Sequence, residues 1–538
     1  MSKCISVAAS AMAVAILMGA SALLAGAQTA VTTYHYDNYR TGWNPNETTL
    51  TPANVKKPGF GRLETVALDD QVDGQPLVVP GVMITAGAYQ GTTHDVVYVA
   101  TEGNTVYAID AHSGTVLLKP NFGTPVRYPL GCGNNGPNVG INSTPVIDTG
   151  SNTLYVMVYT QGSAPTYTLH ALDLGSLTDK VAAQTVVASH TLTNGTTFNF
   201  NAKYQRQRPG LLLANGSIYA GFGSFCDFSA NLSRGWLLGW TAGTLAPFPS
   251  NQLNDLQPTD HDTFFLSSIW MSGYGLAADD AGNIVFVTGN SDANSYDGVT
   301  NIQESVVKVN STLTTVVDLF TPDNQVSLDQ GDVDFGSGGV LVLPDQPGSI
   351  PHMAAAAGKD GNLYFMNEDN LGGYSPNQNN VLGTYSIGGC WCGQSYYQAA
   401  DGTGRVVASG GTQVRLYQVQ TSPKAALNLL EISGYINGGQ DPGFFTAISS
   451  NGTSNPVIWA VSRPKGSGKN PLFLYAFDPN AKNNKMKQLF SLRAGSWPNL
   501  GGNSNLAPVV ANGEVFVASY KTLEIFGLAG GNAKAKKH

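Results

Sequence analysis

The sequence predicts an all-β protein, an eight-bladed β-propeller of four-stranded blades whose ring is closed by a strand from near the N-terminus. Three observations carry this. A unit of short apolar strands and tight turns recurs eight times along the chain. The eighth copy lacks its last strand, and an unpaired strand stands at the other end of the chain, ahead of the first copy. Apolar residues fall on both sides of the strand alternation, as in Val97-Tyr98-Val99-Ala100, which fits sheets covered on both faces. One unit cannot bury its own faces, and a ring of them can.

The elements follow in chain order. Lys3, an apolar and small-residue run from Ile5 to Leu24 and the cleavage sequence Ala25-Gly26-Ala27 make residues 1–27 an export signal. Gln28 follows where a lipoprotein would carry Cys, so no lipid anchor and no membrane span are expected after cleavage. The mature protein is then expected in a periplasm or outside the cell. Residues 28–59 read as a surface wrap outside the ring, residues 60–528 as the propeller, and residues 529–538 as a flexible tail. Within the propeller, innermost strands are expected at Pro76–Val79, Thr144–Asp148, Gly210–Leu213, Gly275–Ala278, Gly339–Val342, Ser395–Gln398, Phe444–Ile448 and Leu506–Val510. Second strands start near Val97, Leu154, Ile218, Ile284, His352, Val406, Val457 and Val515, and third strands near Val106, Tyr167, Trp236, Val306, Leu363, Val414, Phe473 and Leu523. Seven units continue into an outer strand, such as Lys485–Leu492; the eighth ends near Leu528. The free strand Phe60–Leu68 is expected to complete it, which removes the open sheet edges that invite aggregation.

Composition narrows the function. Charged residues make up 12% of the chain and the formal net charge is -8, with no long basic stripe, so nucleic acid is not an expected partner. No C-x-x-C-H haem site, G-x-S-x-G elbow, H-E-x-x-H or P-loop occurs in the mature chain, and its His residues show no ligand spacing.

Tyr98 to Leu118, with its ending Tyr-Ala-Ile-Asp-Ala-His-Ser-Gly, resembles the repeat of pyrroloquinoline-quinone-type, quinoprotein alcohol dehydrogenase-like propellers. Ile141–Asp148, Trp270–Leu276 and Gly358–Tyr364 are similar to other parts of such chains, and the resemblance spans the mature protein. It implies the propeller fold, and in its enzyme members a quinone with a calcium ion. This chain departs from the enzyme pattern. The adjacent cysteines of the dehydrogenases are here Cys390 and Cys392, separated by Trp391, and the outer-strand Trp that docks blades is Leu118. No motif matches the family's calcium ligands or its catalytic Asp, which marks a non-dehydrogenase member.

Candidate site residues lie in the loops that join one blade's outer strand to the next blade's inner strand, all on one face. Gln75, Asn142, Arg206, Arg208, Trp270, Trp391, Asp441, Trp497 and Asn503 fall there. Arg206 and Arg208 suit bidentate capture of a carboxylate or phosphate, or else an interblade salt bridge. The Trp residues either stack on sugars, flat rings or cations, or pack the blades. Asp329, Asp332 and Asp334 are either oxygen ligands for a cation or solvated turn acids. Cys132 with Cys226 is the favoured disulfide, and Cys390 with Cys392 would close a small ring. The expectation is a ligand- or partner-binding scaffold acting on a small molecule, a glycan or a protein. The rivals are a quinone- and calcium-dependent oxidoreductase and a carbohydrate-binding surface protein.

Overall fold

The computed structural model describes residues 28–127, 137–225, 232–258, 266–436, 438–464, 470–480, 484–499 and 502–530. The expected signal, the tail beyond residue 530, Cys132 and Cys226 lie outside the described residues.

Short apolar strands paired antiparallel form eight blades in a ring. The innermost strands are Leu77–Met83, Val146–Asp148, Leu212–Ala214, Ala277–Ala278, Val340–Val342, Ser395–Gln398, Phe445–Asn451 and Val509–Ala511, each within its expected segment or extending from it. The recurring Asp at the end of the third strand has a local cause. Its carboxylate accepts backbone N–H groups of the turn that follows, as Asp110 Oδ1 does from Ser113 (2.8 Å) and Asp173 Oδ1 from Gly175 and Ser176 (3.0 Å each). The Asn richness also has a cause: Asn104, Asn152, Asn215, Asn455 and Asn512 adopt positive φ in tight turns, a conformation Asn tolerates better than other side-chain-bearing residues.

The closing strand is Phe60–Gln71. It pairs antiparallel with Tyr520–Leu528 and so becomes the outer strand of the eighth blade, Phe60 opposite Leu528 and Val66 opposite Leu523. Arg62 and Thr65 both bond Glu524, at 3.2 and 2.6 Å, across this seam.

The segment ahead of that strand is not a surface wrap. Val31, Tyr34, His35, Arg40, Thr41 and Asn44 are all at most 4% exposed, because residues 31–44 thread the channel as a strap. The strap touches the inner strand of every blade. Val31 pairs with Val78; Thr32 O accepts from Ile147; Asn38 bonds Leu213 O and Ala278 N–H; Tyr39 O accepts from Val342; Thr41 O from Tyr396; Gly42 O from Ile448; and the Tyr36 hydroxyl meets the Val510 backbone. Trp43–Asn44 then pairs parallel with Phe445–Asn451. The physical reason is the ring itself. Eight inner strands each leave one edge of N–H and C=O groups facing the axis, and buried backbone groups require partners. Arg40 anchors the strap, its Nε donating to Leu276 O (2.6 Å) and its Nη1 to Thr33 Oγ1, Tyr34 O and Asp37 O (2.7–3.0 Å). Among the described residues no helix is long and apolar enough to cross a membrane.

Candidate functional site

The loop face lies over the strap, and Tyr274 joins the two. Its ring stands edge-on to Tyr34 and His35, and its hydroxyl lies 2.9 Å from Arg40 O and 2.8 Å from Gln394 O. A Cβ at residue 339 or 393 would fall about 2 Å from the ring, so Gly339 and Gly393 are what allow Tyr274 to cross the axis.

The acidic loop between blades four and five forms one side of the site. Where the sequence suggested only a loop, a short helix, Gln325–Gly331, carries Asp329, and a 3₁₀ turn, Phe335–Ser337, follows Asp334. The Lys359 ammonium sits between Asp334 Oδ2 (2.5 Å) and Asp332 Oδ1 (3.2 Å). It also lies 5.9 Å from the Trp270 ring centroid and 5.5 Å from that of Trp391. Asp334 Oδ1 accepts the Asn290 N–H (3.0 Å); a Cβ at Gly289 would stand 2.5 Å from that oxygen and 3.1 Å from Trp270 Nε1. Asp329 accepts from Ser291 N (3.0 Å), Gln303 Nε2 (3.1 Å) and Gln325. Glu304, fully buried at φ +50°, accepts from Phe335 N (2.5 Å). Two buried oxygens here, Asn290 Oδ1 and Glu304 Oε1, have no hydrogen-bond partner among the described residues.

Burial and crowding around one ammonium raise Asp329, Asp332 and Glu304. Burial pushes the Asp329 carboxyl up to about 7, with the charge of Asp334 adding to the shift. Burial, then Asp334 and Asp329, drives Glu304 well above the usual carboxylate range, and burial with Asp334 raises Asp332. The Lys359 ammonium is held charged, Asp334 and Asp332 outweighing its desolvation.

Arginines form the other side. The strand Gln205–Gln207 pairs with Ser217–Ser224, a second inner-edge strand of blade three, and this fixes Arg206 and Arg208. Arg206 Nε donates to Asn142 Oδ1 (2.9 Å); Arg208 Nη1 donates to Asn142 O (3.0 Å) and its Nη2 lies 3.4 Å from Asp73 Oδ1. Asn142 in turn bonds the buried Glu102, whose carboxyl is raised by burial and by Asp73. Arg463 closes the circle: Nε donates to Gly443 O (2.5 Å), and Nη2 to Trp391 O (2.6 Å) and Asn505 Oδ1 (2.9 Å).

Several expectations change here. Trp497 is fully buried, its Nε1 donating to Gly502 O (2.8 Å), and it packs the core with Trp459 and Leu474 rather than facing a ligand. Gln75 is occupied by the strap, accepting from His35 N (3.1 Å) and donating to Thr33 O (3.2 Å). Asp441 and Asn503 bond each other at 2.8 Å on the rim. Lys359 brings Trp270, Trp391, Asp332 and Asp334 together, Arg463 bonds the Trp391 carbonyl, and Asn142, Arg206 and Arg208 form a second group, with Arg208 against Gly273 in the Trp270 loop. Asp297 makes an Asx-type turn, its Oδ1 accepting from the backbone N–H groups of Val299, Thr300 and Asn301. Cys390 and Cys392 are disulfide-bonded and buried, with Gln394 Nε2 3.7 Å from the Cys390 sulfur. Lys359, Glu304, Asn290, Glu102 and Arg463 escaped the sequence reading. Their signal was faint: four are charged or amide residues just after second strands and Glu304 stands just before a third strand, in a chain poor in charge.

A family model described as a beta-propeller repeat matches residues 268–297, the segment that holds Trp270 and Asn290. No curated protein matches the chain. The quinohemoprotein alcohol dehydrogenase of Comamonas testosteroni superposes with a TM-score of 0.61 at 14% identity, covering 95% of this chain and 82% of its own. Its counterpart ADHIIG of Pseudomonas putida HK5 gives 0.60 at 15%, covering 95% and 81%. A europium-containing methanol dehydrogenase gives 0.51 at 10%, covering 91% and 81%. The fold is that of the quinoprotein alcohol dehydrogenase-like β-propellers. At these identities the likeness is one of fold, and activity has to be argued from the loop face.

Proposed function

We propose that this chain is an exported propeller that binds a ligand carrying a flat or sugar ring through its loop face, as a scaffold without chemistry of its own. One observation carries the reading. Lys359 is held under Trp270 and Trp391, both partly exposed, and is ion-paired to Asp332 and Asp334. Indole faces at the mouth of a strap-filled channel offer stacking area, and the surrounding amides and guanidinium groups offer orientation. Backbone strain at Met271, Ser272, Glu304 and Asp332, all at positive φ, supports a site held in place by its surroundings. Thermal-shift titration of the mature protein with pyrroloquinoline quinone and with an oligosaccharide panel tests this. A saturable rise that Trp270→Ala removes is expected; silence across both classes would overturn the reading.

A second reading, a quinone-dependent oxidoreductase, is favoured by the Cys390–Cys392 bridge flanking Trp391. The indoles and the bridge fit a flat quinone. A calcium ion does not fit the described residues. No three Asp, Glu, His or Cys side chains among them are arranged to hold a metal, and the Lys359 ammonium takes the place between Asp332 and Asp334. Quinone absorbance retained through gel filtration, with alcohol-dependent bleaching, would establish this reading over the scaffold.

A further inference from the structure

The seam between blades one and eight carries ionisable side chains that neither the strap nor the loop face uses. Asp95 and Asp110 come from blade one and Glu514 from blade eight. His112 spans the seam, its Nε2 3.0 Å from Asp95 Oδ2 and its Nδ1 3.0 Å from Glu514 Oε1, and His94 Nδ1 lies 2.7 Å from Asp110 Oδ2. Among the described residues no Lys or Arg side chain lies within ion-pair distance of these three carboxylates. Neither imidazole is a permanent cation, so the seam is short of positive charge. Glu514 is 7% exposed, and its Oε2 is buried with no hydrogen-bond partner among the described residues. Such an acceptor costs free energy until a donor reaches it. Burial raises the Glu514 carboxyl, an effect that His112 offsets and that Asp110 and Asp95 reinforce.

The chain itself brings a donor to this place. Gln28 Nε2 donates to Asp95 Oδ2 (2.6 Å), the oxygen that His112 also meets. Thr29 N donates to Asn512 Oδ1 (2.7 Å) and Thr29 O accepts from Asn512 Nδ2 (3.1 Å), two residues before Glu514. Gln28 and Thr29 therefore cross the same seam as His112, with blade one on one side and blade eight on the other. Gln28 is also the residue that follows the expected cleavage sequence Ala25-Gly26-Ala27. Hydrolysis of the Ala27–Gln28 peptide bond by water leaves a carboxylate on the departing segment and an α-ammonium on Gln28. A peptide nitrogen carries one hydrogen and no charge; the ammonium carries three donors and a full charge.

We propose that the seam between blades one and eight is the docking site of the chain's own processed N-terminus, the Gln28 α-ammonium pairing with Asp95 and Glu514. Charge-assisted hydrogen bonds to partly buried carboxylates are the strong kind, and here they join the first blade to the last. Removal of the export signal then finishes the ring, and the unprocessed precursor keeps a seam that lacks one cation. The proposal rests on the export part of the reading above and adds a step by which export controls closure of the fold.

The test compares two purified chains, one beginning at Gln28 and one at Ala25, by the rate at which acetic anhydride acetylates the α-amine at pH 8. A paired ammonium gives up its proton reluctantly, so the chain beginning at Gln28 is expected to react about tenfold more slowly and to melt at a higher temperature. Asp95→Asn with Glu514→Gln is expected to bring the two rates together; should that pair of substitutions not fold, Asp95→Asn decides. Gln28→Ala, which cannot cyclise to pyroglutamate, is expected to stay slow, and it replaces the parent chain where intact mass shows loss of ammonia. Equal rates in the two starting chains overturn the docking, and so does a slow rate that survives removal of both carboxylates. Intact mass of the protein recovered outside the cytoplasm separates this inference from the reading it rests on. A start at Gln28 with a freely reactive α-amine removes the docking and leaves export standing. A start at any other residue also removes the docking alone, and a retained signal overturns both.

Discussion

The strap and the loop face meet at Tyr274, and they use polar groups differently. Along the strap the backbone is paired: residues 31–44 reach all eight inner strands, six through backbone groups and two through the Asn38 amide and the Tyr36 hydroxyl. Arg40 distributes four donations over oxygens that are mostly backbone carbonyls, although its Nη2, the Tyr34 hydroxyl and His35 Nε2 have no partner among the described residues. At the loop face ionisable side chains are crowded together instead. Asn290 Oδ1, Glu304 Oε1, Gln394 Oε1 and Arg463 Nη1 are buried without partners among the described residues, and burial with neighbouring charge raises the Asp329 and Glu304 carboxyl groups. The contrast separates a finished side, the strap whose backbone completes the ring, from a less finished side, the loop face where charge is concentrated.

The largest effects should come from breaking the finished side. Arg40→Ala is expected to cost about 3–5 kcal/mol in urea unfolding, since it strips several buried acceptors at once. Trp497→Ala should cost a similar ~3–5 kcal/mol through its core cavity, with ligand affinity in the surviving folded protein unchanged. A Trp497→Ala protein of native stability and lost affinity would move that residue back to the ligand face.

Next come the charges of the unfinished side. Lys359→Met should cost on the order of 3 kcal/mol at pH 8 and markedly less at pH 5, because protonation relieves the carboxyl groups it leaves behind. Urea unfolding at the two pH values checks this, and an equal loss at both would mean that Lys359 contributes packing alone.

Asp329 gives a smaller effect with a defined sign. Its carboxyl is raised from 3.8 to about 7 in the folded protein, so the folded state binds the proton more tightly. Its contribution to stability is full below pH 3.8 and is lost as pH rises toward 7, on the order of 1–3 kcal/mol across that window after allowing for coupling. Asp329→Asn should flatten that part of the stability–pH profile; an unchanged slope would place the titration elsewhere.

The smallest effect expected is at the seam between blades one and eight. There His112 lies 3.0 Å from both Asp95 and Glu514, and these partners raise its pKa against desolvation. Protonated His112 therefore stabilises the seam at low pH and ceases to as pH rises through its folded value. Because the ring is half exposed, His112→Ala should cost under about 1 kcal/mol at pH 6 and nothing measurable at pH 9.

The ring was legible in the sequence because it is written locally. Strand alternation repeats in every unit, Asp ends several third strands, as at Asp110, Asp173 and Asp478, and Asn takes positive φ in many of the turns, while the missing outer strand of the last unit pointed to Phe60–Leu68. The strap was not legible. Its order is imposed by eight strand edges far away in the chain, and residues 31–44 carry no periodicity of their own. The site was half legible for the same reason. Asp332 and Asp334 stand out as neighbours in a charge-poor chain, whereas Lys359 and Arg463 gain their meaning only when blades five and seven bring them beside Trp270 and Trp391.

Hydrogen–deuterium exchange on the ligand-free mature protein tests the division most directly. The account predicts that the amides of Val31 and Gly42 on the strap, and those of Ile147, Tyr396 and Ile448 bonded to it, exchange only through global unfolding. It predicts that the amides of Asn290, Ser291, Phe335 and Trp391 exchange faster, through local opening. Equal protection at the two ends, or a strap that exchanges before the loop face, would contradict it.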